Sequence, residues 1–349
     1  MELELSDFDF QLPQELIAQE PFRPADSCGL MILNRQEKTI SEKRFFDLVD
    51  YFSTGDVLVL NDTKVIPARL FARRLNRPQE KPIEIFLLKN VAGNSWLVLG
   101  RPAKKLLVGE EIVFEGKFTA VVSRRLKGAS RIVEFPPELE VLRLAENYGE
   151  MPLPPYIKKY PYSKNNLKND YQTFFARVPG ATAAPTAGLH FTPKLLQTIA
   201  DKKVKIIYIT LHTGLGTFQP IRPARVSEHQ MAAEFCEVSA EAATTINQAK
   251  EKKHRIFAVG TTVVRALESA ADLHLQEVRP FIGETDLFIY PGFNFRVVDA
   301  LITNFHLPRS TLILLASAFA GVEFLKEAYA LARQKKYRFF SFGDAMLIL

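Results

Sequence analysis

Two glycine-punctuated stretches each set a histidine among hydroxyl-bearing residues. The first is Pro185-Thr186-Ala187-Gly188-Leu189-His190-Phe191-Thr192 and the second is Leu211-His212-Thr213-Gly214-Leu215-Gly216-Thr217-Phe218. A third, Thr303-Asn304-Phe305-His306-Leu307-Pro308, repeats the theme. Imidazole is the side chain best suited to moving protons near neutral pH, so three such loops meeting in one crevice would make a proton-transfer site. Gly260-Thr261-Thr262, where a strand should give way to a helix, offers amides and hydroxyls to an anion. A plain glycine turn with an N-cap threonine is the structural alternative. His229 lies five residues before Glu234 in Ser227-Glu228-His229-Gln230-Met231-Ala232-Ala233-Glu234. A carboxylate beside that imidazole would raise its pKa and make it a proton donor.

These residues need a frame. Residues 193–202 predict a helix and 204–211 a strand, which puts His190 just before a helix and His212 just past a strand. In open α/β sheets, ligands bind at the carboxyl ends of strands, so both could face one crevice. Upstream, the pattern predicts a short helix at 12–18, a strand at 29–33, a helix at 41–52 opened by a serine cap, and a buried strand at 56–60. That strand runs into Asn61-Asp62-Thr63-Lys64-Val65-Ile66-Pro67-Ala68-Arg69. Downstream come a helix at 239–253 capped by Ser239, a strand at 255–259, a helix at 263–271, a strand at 297–302, and an apolar strand after Phe342-Gly343-Asp344-Ala345-Met346. Residues 66–150 read differently: five short strands at 83–88, 95–99, 111–114, 118–123 and 131–135, parted by glycine turns. The expectation is an α/β main domain formed by 1–65 and 151–349, carrying a small all-β, barrel-like domain inserted at 66–150.

Composition narrows the chemistry. The 349 residues carry a formal charge of +6, which permits a polyanionic partner without requiring one. Basic residues gather around the inserted domain, Arg69, Arg73, Arg74, Arg101 and Lys105 among them. After the proline hinge at 151–155, lysines and tyrosines interleave: Tyr156, Lys158, Lys159, Tyr160, Tyr162 and Tyr171. Such a mixture suits single-stranded nucleic acid, although solvated linkers share it. Cys28 and Cys236 are the two cysteines and stand far apart, which disfavours iron–sulfur clusters, cysteine-rich zinc sites and a disulfide framework, and suits a reducing cytoplasm. No metal site, secretion signal or membrane-spanning segment is expected. Gly214-Leu215-Gly216 opens a dinucleotide fingerprint that would need glycine where Gln219 stands, and no P-loop, nucleophile-elbow serine or HExxH string occurs.

Together the strings resemble the S-adenosylmethionine:tRNA ribosyltransferase-isomerase family over essentially the whole chain. They include Asn61-Asp62-Thr63-Lys64-Val65-Ile66-Pro67-Ala68-Arg69, Gly149-Glu150-Met151-Pro152-Leu153-Pro154-Pro155-Tyr156-Ile157, Asp170-Tyr171-Gln172-Thr173, the three histidine loops, Val259-Gly260-Thr261-Thr262 and Gly343-Asp344-Ala345-Met346. Met231-Ala232-Ala233-Glu234 departs from the family's Met-His-x-Glu, and Cys28-Gly29-Leu30 from its Arg-Leu-Leu. The resemblance implies an α/β enzyme with an inserted barrel and no resident cofactor. It would use S-adenosylmethionine as co-substrate and act on 7-aminomethyl-7-deazaguanine at the wobble position of a tRNA, with no obligatory protein partner. The proton-transfer pool would be His190, His212 and His306, with His229 and Glu234 next. Thr186, Gly188, Thr213, Gly214, Gly216, Thr217, Gly260, Thr261, Thr262 and Asn304 would hold ribose and carboxylate, and Asp344 or Asp62 an ammonium. Tyr156, Tyr160, Tyr162 and Tyr171 would stack anticodon bases, with Lys158, Lys159 and Arg69 on phosphate. The rival classes are an S-adenosylmethionine-dependent RNA methyltransferase and a noncatalytic RNA-binding module.

Overall fold

The computed structural model describes residues 3–158, 160–161, 163–214, 221, 225–272, 274–275 and 277–349. The chain divides into two compact units, residues 1–64, 154–178 and 184–349 forming the first and 65–153 with 179–183 the second.

In the first unit the strands are β1 (Gly29–Asn34), β2 (Thr39–Arg44) and β3 (Val57–Asn61). The short segments β4 (Thr63–Val65) and β11 (Val178–Ala181) lie where the chain passes between units. The second unit contains β5 (Arg69–Arg74), β6 (Ile83–Ala92), β7 (Ser95–Arg101), β8 (Glu111–Phe114), β9 (Phe118–Arg125) and β10 (Ser130–Glu134). The first unit resumes with β12 (Lys205–Leu211), β13 (Glu234–Val238), β14 (Ile256–Val259), β15 (Phe281–Thr285), β16 (Ala300–Asn304) and β17 (Ala345–Ile348).

Among the described residues, one sheet runs in the order β15-β13-β12-β3-β14-β16-β17-β1-β2. Its centre, β12-β3-β14-β16, is parallel. Such strands are covered on both faces and therefore read as continuous apolar runs, as Val57-Leu58-Val59-Leu60 does. Alternation along β3 sends Val57 and Val59 into one core and Leu58 and Leu60 into another. The first core is closed by α4 (Ala240–Glu251), α5 (Thr261–Ser269), α6 (Thr311–Ala320) and α7 (Val322–Gln334), through residues such as Ile246, Leu267, Leu314 and Leu325. The second is closed by α3 (Pro193–Asp201), which follows the short α2 (Lys164–Asp170) in the chain, through Leu195 and Ile199, and by Phe45, Leu48 and Phe52. Ser239, Thr192 and Ser310 cap α4, α3 and α6 through their side-chain oxygens.

The second unit is a closed six-strand barrel, β10-β7-β6-β5-β8-β9, accompanied by α1 (Val141–Tyr148). An α/β domain with an inserted small barrel is therefore the observed fold class. Five barrel strands are legible in the sequence and the sixth, β5, is not. Its core-facing positions are Leu70, Ala72 and Arg74, and that last arginine, which pairs with Glu80, masks the alternation.

Two expectations fail locally. The helix over 41–52 is instead β2, in which Ser41 pairs with Ile32, followed by a 3-10 helix at Phe45–Tyr51. Phe45 and Leu48 do point to one side, but the three-residue spacing is satisfied by a 3-10 turn, and β1 draws residues 39–44 into the sheet. The helix at 12–18 contracts to a 3-10 turn at Gln14–Leu16. No helix among the described residues is long and apolar enough to cross a membrane.

Candidate active site at the carboxyl edge of the sheet

Because β12, β3, β14 and β16 are parallel, their carboxyl ends line one edge, bearing His212, Asn61, Gly260 and Asn304 respectively. Asn61 ties three of these ends together. Its Nδ2 donates to the Leu211 carbonyl (3.0 Å) and to Thr262 Oγ1 (3.2 Å), while its Oδ1 accepts the backbone N–H groups of Leu211 and Thr63 (3.1 Å each). The adjoining Asp62 is equally committed, accepting Thr210 Oγ1 at 2.7 Å and the Arg177 guanidinium at 2.9 Å. Both oxygens of this carboxylate, expected to meet a ligand's ammonium, therefore already carry a protein partner.

The three histidines sit in different environments. His212 is half-buried, its Nδ1 2.8 Å from Thr63 Oγ1 and its ring stacked on Phe235 with centroids 5.2 Å apart. Burial lowers its pKa below the usual imidazole value, partly opposed by Asp62. His190 is wholly enclosed. Asn304 Nδ2 donates to the Phe340 carbonyl (3.2 Å), which turns the amide nitrogen toward His190 Nε2 at 2.8 Å. Nε2 must then accept, so Nδ1 carries the hydrogen and donates it to Cys28 Sγ at 3.3 Å. Asn304 Oδ1 is taken by Thr186 Oγ1 at 2.9 Å. Burial, assisted by Arg338, lowers the His190 pKa to about 4. His306 bonds Thr303 Oγ1 through Nε2 (2.9 Å), and burial takes its pKa to about 3. Three strand intervals separate β12 from β16, roughly 14 Å at the usual interstrand spacing, so His212 and the His190–Asn304 pair share an edge without exchanging protons directly.

The remaining candidates are mostly bound up in the framework. Glu234 does not act on His229: its Oε1 accepts the Gly214 N–H (2.8 Å) and its Oε2 meets Arg265 in a buried ion pair. His229 packs edge-on against Phe288, and burial lowers its pKa, opposite to the rise expected from a neighbouring carboxylate. Gly188 is glycine for want of room, since a Cβ would come within 2.9 Å of Thr173 Cγ2, and its amide is spent on the Pro185 carbonyl. Gly260 holds φ +88° at the start of α5, a conformation that favours glycine. Thr261 and Thr262 border a hollow of about 10 Å³ together with Arg265 and Thr311, room for a single water. Thr213 is buried, and Asp344 accepts the backbone N–H groups of Gly29 and Arg338 at 2.6 Å each, with burial raising its pKa. Gly216 and Thr217 lie outside the described residues.

Of the residues expected to meet RNA, Lys158 is exposed. Tyr171 is fully buried and presents no face to a base, which removes it as a stacking residue. Tyr156 bonds Ser341 Oγ at 2.6 Å and packs on Phe340, and Tyr160 bonds Asp170 at 2.5 Å. Arg69 is bridged to Glu84 (3.1 Å) and Glu150 (3.2 Å) within the barrel unit, so its charge is largely answered at home. Lys159 and Tyr162 lie outside the described residues. Sequence reading gave no role to Cys28 or Arg265. Arg265 did leave a signal, a cation set inside the apolar run Val263-Val264-Arg265-Ala266-Leu267.

An α/β sheet with polar, histidine-bearing loops along one carboxyl edge, together with an inserted closed barrel, defines the class. Residues 5–348 match the family described as queuosine biosynthesis protein. A relative from Halothermothrix orenii, named S-adenosylmethionine:tRNA ribosyltransferase-isomerase, is 49% identical over 99% of this chain and 100% of its own length. A crystal structure of S-adenosylmethionine tRNA ribosyltransferase from Thermotoga maritima is 40% identical, covers 98% of this chain and 100% of that one, and superposes with a TM-score of 0.56. The chain belongs to the queuosine biosynthesis protein family and is an enzyme.

Proposed function

We propose that this enzyme transfers and isomerises the ribosyl group of S-adenosylmethionine onto 7-aminomethyl-7-deazaguanine at the wobble position of a cytoplasmic tRNA. The products would be epoxyqueuosine-tRNA, adenine and methionine, formed by acid–base chemistry without a metal. The relatives' names support the co-substrate and the tRNA. The observation that carries the mechanism is the state of His212 at the end of β12: one ring nitrogen is held by Thr63, and burial keeps the ring neutral at physiological pH.

A neutral imidazole with one nitrogen anchored can accept a proton on the other. The sulfonium makes the ribose C5′ protons acidic, so removing one starts the rearrangement, and the imidazolium so formed can return that proton to a departing adenine nitrogen. His212 thereby serves first as base and then as acid. His190 and His306 fill supporting roles, since both are buried and neutral; His190 uses both nitrogens to hold Cys28 and Asn304. Thr262 and Gly260 at the start of α5, with Thr213 at the end of β12, would face the ribose and the methionine carboxylate.

The test is chromatography of the products formed from S-adenosylmethionine and precursor-bearing tRNA. Adenine and methionine in equal amounts are expected. S-adenosylhomocysteine would replace this reading with an ordinary methyl transfer, and no turnover at all would leave an RNA-binding module.

A further inference from the structure

A hollow of about 560 Å³ opens where β1 begins, β2 ends and β17 begins. Register ties it to His190 and Asn304. Leu30 pairs with Ala345, and Ala345 pairs with Asn304. Gly29 in its wall adjoins Cys28, whose thiol meets His190. Five cations line the cleft: Lys43, Arg44, Lys335, Lys336 and Arg338. The carboxylates between them are already engaged. Asp344 is held by two backbone amides, Glu42 is bridged by Lys335 at 3.0 Å, and Asp47 accepts the Arg44 N–H at 2.9 Å. Lys43 and Lys336 are exposed and, among the described residues, have no carboxylate partner.

The floor is built as well as charged. Arg338 is stacked over Phe22 at 4.2 Å and donates to the Phe342 carbonyl at 2.9 Å, so one guanidinium stands fixed while the lysines reach in from the rim. A Cβ at Gly29 would come within 3.0 Å of Asp344 Oδ1 and 3.1 Å of the Tyr337 ring, so a larger residue there would press on both walls of the floor.

We propose that this cleft is a phosphodiester-binding site that seats the backbone of the tRNA substrate beside the His190–Asn304 end of the sheet edge. The proposal rests on the tRNA reading above. S-adenosylmethionine is a poor occupant, because its sulfonium and ammonium outnumber its one carboxylate and the surplus of cations would repel it. A polyanion is attracted, and it gains further from releasing its condensed counterions. Phosphate contacts fix register without reading sequence, which is what a substrate presenting one base to a fixed edge requires.

The test uses the full-length enzyme, a fluorescently labelled tRNA transcript and anisotropy titrations at several salt concentrations. Lys43→Ala with Lys336→Ala should weaken binding about tenfold or more at low salt and make the plot of log affinity against log salt shallower by roughly two units, one for each phosphate contact removed. Binding of S-adenosylmethionine without tRNA, followed by equilibrium dialysis, should not change. A control pair away from the cleft, Lys194→Ala with Lys326→Ala, removes the same charge and should leave tRNA affinity intact. Unchanged affinity and slope in the cleft variant, or an equal loss in the control, would overturn the proposal; so would lost S-adenosylmethionine binding with tRNA binding preserved. Anisotropy needs no turnover, so a wild-type enzyme that binds tRNA yet releases no adenine would sink the transferase reading alone.

Discussion

The two ends of the parallel strand array treat histidine in opposite ways. At the β16 end, His190 and His306 are enclosed, and His190 has both nitrogens answered, by Cys28 and Asn304. At the β12 end, His212 keeps one nitrogen on Thr63 and remains half open. Residue type is therefore a poor guide to role here. Where solvent is excluded and every polar atom has a partner, an imidazole becomes a strut with a fixed tautomer. Where one nitrogen has no partner among the described residues, as in His212, it retains the capacity to carry a proton.

The largest effect that would sharpen this contrast lies beneath the β12 end. Removing Arg265 leaves Glu234 as a buried, uncompensated charge, so Arg265→Met should cost about 3–5 kcal/mol in urea unfolding. Adding Glu234→Leu should restore much of that loss. If Arg265→Met alone proved neutral, the pair would not be holding the base of the His212 loop.

The next effect separates the histidines by acid. The unfolded chain protonates histidine near 6.5, whereas folded His190 and His306 hold out to about 4 and about 3. The unfolded state therefore binds more protons in that window. Stability is greatest above about pH 6.5, falls as pH drops, and stops falling through these groups only below their folded values; His190 alone contributes on the order of 3 kcal/mol to the fall. His190→Gln should flatten the pH dependence of the urea midpoint between 6.5 and 4, and the same change at His212 should alter it far less. Equal slopes would erase the distinction.

At His212 the loss should appear in turnover. His212→Gln is expected to lower kcat about a hundredfold or more, as removal of a general base does, with unfolding free energy changed by less than ~1 kcal/mol. Preserved kcat would move the proton transfer elsewhere on the edge. The smallest effect belongs to Cys28→Ala, which removes the acceptor of the His190 Nδ1–H and should destabilise by ~1–2 kcal/mol, leaving kcat within a few-fold of wild type.

What was readable beforehand follows from periodicity. The strands expected at 111–114 and 204–211, the Ser239 cap and the strand-end setting of His212 come directly from apolar runs and cap chemistry. β5 was hidden because Arg74 occupies an inward position, its charge answered by Glu80 six residues on, in the turn that follows the strand. The supposed helix at 41–52 failed because pairing with β1, a partner several residues back, outweighed local spacing. At the edge itself, residue types pointed to His190 and His212 alike. What separates them is a cysteine 162 positions before one and an asparagine 114 after it, partners visible only once the chain is folded.

One consequence of the strand order concerns assembly. The hairpin formed by β1 and β2 lies far along the chain from its partner: among the described residues, its sole neighbour within the sheet is β17. Residues 29–44 must wait for a segment some three hundred positions later before they can dock, and the floor of the cationic cleft takes shape only with that docking. Pairing β1 with β17 closes a loop of roughly three hundred residues, the kind of long-range contact whose entropy cost slows folding.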